Sequence, residues 1–105
     1  MEKTIRDKVV SRILEGDGVT SKDVRRAAFA NEGVSEPARS LVDKVAKNAY
    51  RVTDEDIAAA KAGGLQEDEI FELVVCAAIG QSTRQIENAL AALDEATRPA
   101  AKETA

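Results

Sequence analysis

A chain of 105 residues with 19 acidic and 15 basic side chains, a net charge of −4 and a pI near 4.9 is one domain by length. Its acidic balance is a poor fit to a phosphate backbone, so no nucleic-acid partner is expected. Histidine is absent and cysteine occurs once, which excludes a serine–histidine–aspartate triad and an internal disulfide and removes the commonest metal ligand; no metal and no cofactor are expected.

Ile5, Val9 and Ile13, with Val10 and Leu14 beside them, recur at helical spacing, and Gly16-Asp17-Gly18 stops that first helix. A helix-start device then appears in Val19–Val24, Val52–Ile57 and Leu65–Ile70. In each, a polar N-cap candidate (Thr20, Thr53, Gln66) precedes an acid three residues on, between apolar residues that form a hydrophobic staple. Ser35, with Pro37 just inside, opens a further helix whose apolar face is Ala38, Leu41, Val42, Val45 and Ala49. Gly33 and Gly63-Gly64 are placed as left-handed helix stops.

From Ile70 to Ile79 the chain is apolar nearly all round, which predicts a central helix buried on most sides. After Gly80, Ser82-Thr83-Arg84-Gln85 reads as one more capping box, and Ile86, Ala89, Leu90 and Leu93 form a new stripe, so a break is expected near Gly80 to Ser82. Residues 97–105, with Pro99 and no apolar anchor, read as a frayed C-terminal tail beyond a single helical domain over 1–96. No apolar run approaches the roughly 20 residues that span a bilayer, so no membrane partner is expected. MEKTIRDKVV has no signal-like segment, which points to the cytoplasm.

The aromatic residues are only Phe29, Tyr50 and Phe71, and alanine is the commonest residue. Helices faced with alanine approach closely but remove little apolar area from water, at about 25 cal/mol per Å². A homo-oligomer is therefore expected, because a partner copy adds the burial that a thin core lacks.

Across Ala38 to Leu93 the order is a helix (ARSLVDKVAKNA), a short turn (YRVT), a second helix ending in AGGL, then QEDEIFELVVCAAIGQ and a last amphipathic stretch. This layout resembles the alkyl hydroperoxidase D and carboxymuconolactone decarboxylase superfamily. The resemblance implies an all-α, AhpD-like domain of about six helices, with a core of helices over Ala38–Tyr50, Asp54–Ala62 and Glu67–Ile79. Counting back from Gly64-Leu65, the family's two cysteines fall on Ala49 and Val52, its histidine on Asp56, and its glutamate on Pro37 beside Glu36. None of these residues is kept, so the expected protein is a catalytically reduced member that binds a small molecule or serves as a structural partner. The alternative is an enzyme of the same superfamily, either decarboxylase-like or a peroxidase using Cys76.

The resemblance places any ligand site at the turn Ala49 to Thr53, facing the central helix around Phe71 to Val75. Tyr50, Arg51 and Asp56 are the candidate ligand-binding residues there, with a small acidic ligand in view. Tyr50, Asp56 and Cys76 are the candidate catalytic residues, with Arg51 and Glu36 as further charges. Each also has a structural reading. Asp56 is the third residue of a capped helix, Cys76 sits mid-helix among Val74, Val75, Ala77 and Ala78, and a tyrosine often rests half-buried with its hydroxyl at the surface. The acids Asp54-Glu55-Asp56 and Glu67-Asp68-Glu69 read as complements to helix dipoles rather than as a cation loop. Lys22, Arg25 and Arg26 lie on a helix followed by a second, the outline of a helix-turn-helix, but Glu36 and Pro37 at the start of the second argue against DNA.

Overall fold

Every element is helical: the computed structural model, which describes residues 4–98, contains α1 (Ile5–Glu15), α2 (Lys22–Ala30), α3 (Ala38–Asn48), a 3₁₀ turn (Ala49–Arg51), α4 (Asp54–Ala62) and α5 (Glu67–Ala96), with no strand among the described residues. None of these helices is long and apolar enough to cross a membrane. Of the tail expected over 97–105, Thr97 closes α5 and Arg98 follows it, while 99–105 lie outside the described residues.

The helix starts follow from local chemistry. The Thr4 hydroxyl accepts from the Asp7 N–H and the Asp7 carboxylate accepts from the Thr4 N–H, a capping box that opens α1. Thr53 and Asp56 form the same box at α4, as their spacing predicts. At α5 the Gln66 N–H donates to Glu69 at 2.8 Å. At α2 the expected register is off by one: Ser21, not Thr20, is the N-cap and accepts from the Val24 N–H. Thr20 is drawn off by Glu72 of α5, which takes both its hydroxyl and its N–H.

The stops are also partly reassigned. Asn31 ends α2 in the left-handed conformation (φ 53°), with its N–H donating to Ala28 and the Glu32 N–H to Ala27. Gly33 and Gly64 do take positive φ, but Gly63 is right-handed; a side chain there would strike the Pro37 ring. Pro37 itself sits one position outside α3, and helical hydrogen bonds begin as Ala38 and Arg39 donate to the Ser35 carbonyl.

The expected break at Gly80 to Ser82 does not occur, so the described residues form five α-helices and a 3₁₀ turn where about six helices are expected. The Ser82 hydroxyl donates back to the Ile79 carbonyl, three residues earlier in the same helix, instead of capping a new one. Gly80 serves a tertiary contact. A Cβ there would collide with the Phe29 backbone, so α2 ends pressed directly onto α5. Arg84 secures that crossing by donating to the Phe29 carbonyl at 2.6 Å.

α5 is the spine against which α2 and α3 pack most extensively. The core, to which α4 adds Ala60, is Ala28, Ala38, Leu41, Val42, Val45, Ala60, Ile70, Leu73, Cys76 and Ala77. Val42 and Cys76 are its largest fully buried side chains, so the interior is as small-sided as the composition implies. α1 has no fully buried residue and leans on α2 and α5.

The second half of α5 runs past this body. Thirty residues make a helix of about 45 Å, and every residue from Gln85 to Ala96 is exposed. The radius of gyration is 17.2 Å, where a compact chain of this size has about 13 Å. This overhang forms an arm.

Candidate functional site

The 3₁₀ turn carries the reading made from sequence furthest, and its geometry disperses the candidates. Tyr50 is 81% exposed, and the Arg51 guanidinium lies over its ring, 5.7 Å from the centroid. That is a surface cation–π pair. Val52 turns inward and packs against the core.

Asp56 is saturated. Its carboxylate accepts from the Thr53 N–H at 2.8 Å, from the Thr53 hydroxyl at 3.2 Å and from the Lys44 ammonium of α3 at 2.9 Å. The Lys44 hydrogen bond, then that of the Thr53 N–H, holds its carboxyl below the usual aspartate range. A general base near neutrality needs the opposite shift. Asp56 thus clamps α4 to α3, and the clamp predicts two melts. Thr53→Ala lowers stability by about 1 kcal/mol, and Asp56→Asn is less stable than wild type at pH 7. Because the folded pKa is depressed, this contribution is present above the ordinary aspartate value of about 3.9 and fades as pH falls through the folded one. An Asp56→Asn protein as stable as wild type at pH 7 would return Asp56 to the ligand candidates.

Cys76 is 1% exposed in the core between α5 and its neighbours. Burial pushes its thiol up, and the nearby Arg25 only partly opposes this. The group is a protonated core thiol at neutral pH, without the lowered pKa and access that a peroxidatic cysteine requires. A cavity of about 160 Å³ lined by Arg12, Arg25, Phe71 and Glu72 ends against Cys76, which stays 1% exposed.

Glu36 and Asp56 are the candidates that come together. They line one cleft of about 260 Å³ between α3 and α4, with Ser40, Leu41 and Ala59. Glu36 is itself engaged, accepting from the Ser40 hydroxyl at 3.0 Å and pairing with Arg39 at 3.4 Å. Tyr50, Arg51 and Cys76 do not line that cleft. A larger cleft of about 430 Å³ opens between α2, the α2–α3 loop and α5. Its walls include Val24, Val34, Leu65 and Leu73, and its rim includes Asp23, Glu36 and Glu69.

Two polar residues organise the α1–α2 corner: Arg25, which the sequence suggested only as part of a helix-turn-helix outline, and Glu72, which sequence reasoning missed. Arg25 is 5% exposed, and its Nη1 donates to the Ile13 carbonyl at 3.0 Å and the Gly16 carbonyl at 2.7 Å, closing the C-terminal end of α1. Arg26 pairs with Glu15. The basic face read as a helix-turn-helix outline is therefore largely spent on α1. Glu72 accepts from the Val19 N–H, the Thr20 N–H and the Thr20 hydroxyl, fastening the loop between α1 and α2 to α5. The available signal was an acid within the apolar run of α5, facing a loop that begins with glycine.

No family model, no curated protein and no solved structure matches the chain.

Proposed function

We propose that the protein is a catalytically reduced, AhpD-like helical protein of the cytoplasm that works by self-association, as an interaction module rather than an enzyme. One observation carries this reading: the arm of α5 projects beyond the body with Ile86, Leu90 and Leu93 exposed at 41%, 53% and 59%. An isolated single helix of about a dozen residues is marginal in water, and an apolar stripe left exposed by the described residues calls for a partner surface. The chemistry-bearing residues support the same side. Asp56 is held ionised by Lys44, Cys76 is buried and protonated, and Tyr50 faces bulk water. A decarboxylase-like or Cys76-dependent activity would need these groups free and convergent.

Ligand binding is the second reading, favoured by the cleft between α2 and α5. Its volume suits a small molecule. With apolar walls and an acidic rim it favours an apolar or cationic guest over the small acid expected at the turn.

Sedimentation velocity at micromolar concentrations tests the leading reading. The expected result is a species of at least twice the 11.2 kDa chain mass. A monomer throughout the range overturns it.

A further inference from the structure

Two elements of the fold are left half-packed, and their surfaces are complementary. The first is the arm. Around α5, Ile86, Leu90 and Leu93 fall within about 60° of one another, while Glu87 and Asp94 fall together along one edge of that stripe. Neither acid takes part in a salt bridge among the described residues.

The second is α1. Ile13 and Leu14 turn toward the core, but Ile5 is 79% exposed and Val9 41%. Lys8 and Arg12 lie on the same side of the helix as Ile5 and Val9, within an arc of about 100°, and both are exposed. The acids of α1 are already taken within the chain. Asp7 is closed in the capping box with Thr4, and Glu15 is held by Arg26 and Lys22. What α1 presents outward is therefore an apolar edge flanked by cations, and what the arm presents is an apolar edge flanked by anions.

We infer that the arm of each chain seats on α1 of a second copy, in a two-fold exchange: Ile86, Leu90 and Leu93 cover the partner's Ile5 and Val9, and Glu87 and Asp94 face the partner's Lys8 and Arg12. The inference rests on the self-association reading and gives it a surface. Pairing arm with arm would set one acidic edge near another and leave Ile5 and Val9 in water. The exchange covers both exposed edges and places opposite charges together. An isologous arrangement also uses the seat twice, so a contact that is modest on its own is doubled without any new surface.

Charge exchange tests this in full-length protein by sedimentation velocity. One variant reverses α1 (Lys8→Glu with Arg12→Glu), and another reverses the arm (Glu87→Lys with Asp94→Lys). Each alone makes both seats of its own dimer like-charged, and its dimer Kd rises about ten-fold or more. Mixed one to one, they restore the dimer, because the acidic α1 meets a basic arm at one seat and the basic α1 an acidic arm at the other. Recovery on mixing also shows that both variants are folded. In the wild type, raising salt from low to high ionic strength weakens the dimer. A wild-type dimer whose α1 reversal changes nothing, or whose two variants fail to recover on mixing, overturns the inference and leaves self-association standing. A monomeric wild type overturns both.

Discussion

Gly80→Ala destabilises the protein by about 1–3 kcal/mol, the range for forcing an extra methyl into a close-packed contact. The sign makes this a sharp test. At an ordinary exposed helical position, replacing glycine by alanine gains about 1 kcal/mol from helix propensity, and α5 is helical on both sides of Gly80. Here the new Cβ meets the carbonyl and Cα of Phe29, backbone atoms that cannot rotate aside. The end of α2 must lift from α5, and lifting it breaks the Arg84 hydrogen bond to the Phe29 carbonyl. Thermal or denaturant unfolding of Gly80→Ala reads the result directly. A domain of this size shifts its Tm by roughly 4–8 °C per kcal/mol. A variant as stable as wild type, or more so, would show that α2 and α5 do not approach at the backbone.

The same glycine shows what the sequence could and could not convey. Local chemistry is written locally: the Thr53–Asp56 spacing predicts a capping box, and the box is there. The helical periods of Ala38 to Ala49 and of Ile70 to Ile79 predict core faces; Leu41, Val42, Val45, Leu73 and Ala77 are buried, whereas Ala49 falls in the 3₁₀ turn and is exposed. Gly80 followed by Ser82-Thr83 has the residues of a helix stop, yet its meaning lies in Phe29, some fifty positions away in the chain. Thr20 is a good N-cap by type, and Glu72 takes it for another purpose. Asn31 lies two positions before Gly33, the glycine that was expected to end α2, and its short polar side chain tolerates the left-handed conformation there.

The candidate site was legible only as a set of residue types. Whether Tyr50, Asp56 and Cys76 converge depends on which way the 3₁₀ turn faces and on how deeply α5 is buried, neither of which a periodic pattern encodes. Phe71 illustrates the limit. It lies in the run read as buried on most sides, yet it is 69% exposed, because α1 and α2 cover other faces of α5. The arm, by contrast, was visible as the stripe Ile86, Ala89, Leu90 and Leu93. Only its separation from the body required the fold.

Removing the Glu72 carboxylate should be the second large loss, with Glu72→Ala costing roughly 2–4 kcal/mol. Three donors lose one acceptor: the Val19 N–H at 2.8 Å, the Thr20 N–H at 2.9 Å and the Thr20 hydroxyl at 2.5 Å. Hydrogen bonds to a charged group are worth about 1.5–3 kcal/mol each, but Val19 is exposed and its N–H recovers water, so the sum is not reached. Burial alone would push this carboxyl up. The bonds from Thr20 and Val19, with Arg25 nearby, outweigh burial and hold it below the ordinary glutamate range. A depressed folded pKa means that the charge contributes in full above the unfolded value of about 4.3 and is lost as pH falls through the folded one. Glu72→Gln keeps the shape and removes the charge, so the stability gap between it and wild type should be constant from neutrality down to about pH 5, begin to narrow below about 4.3 and close once pH has fallen past the folded value. Urea melts of both proteins across that range decide the matter. A gap that stays open at low pH would mean that the loop between α1 and α2 is held by shape rather than by the carboxylate.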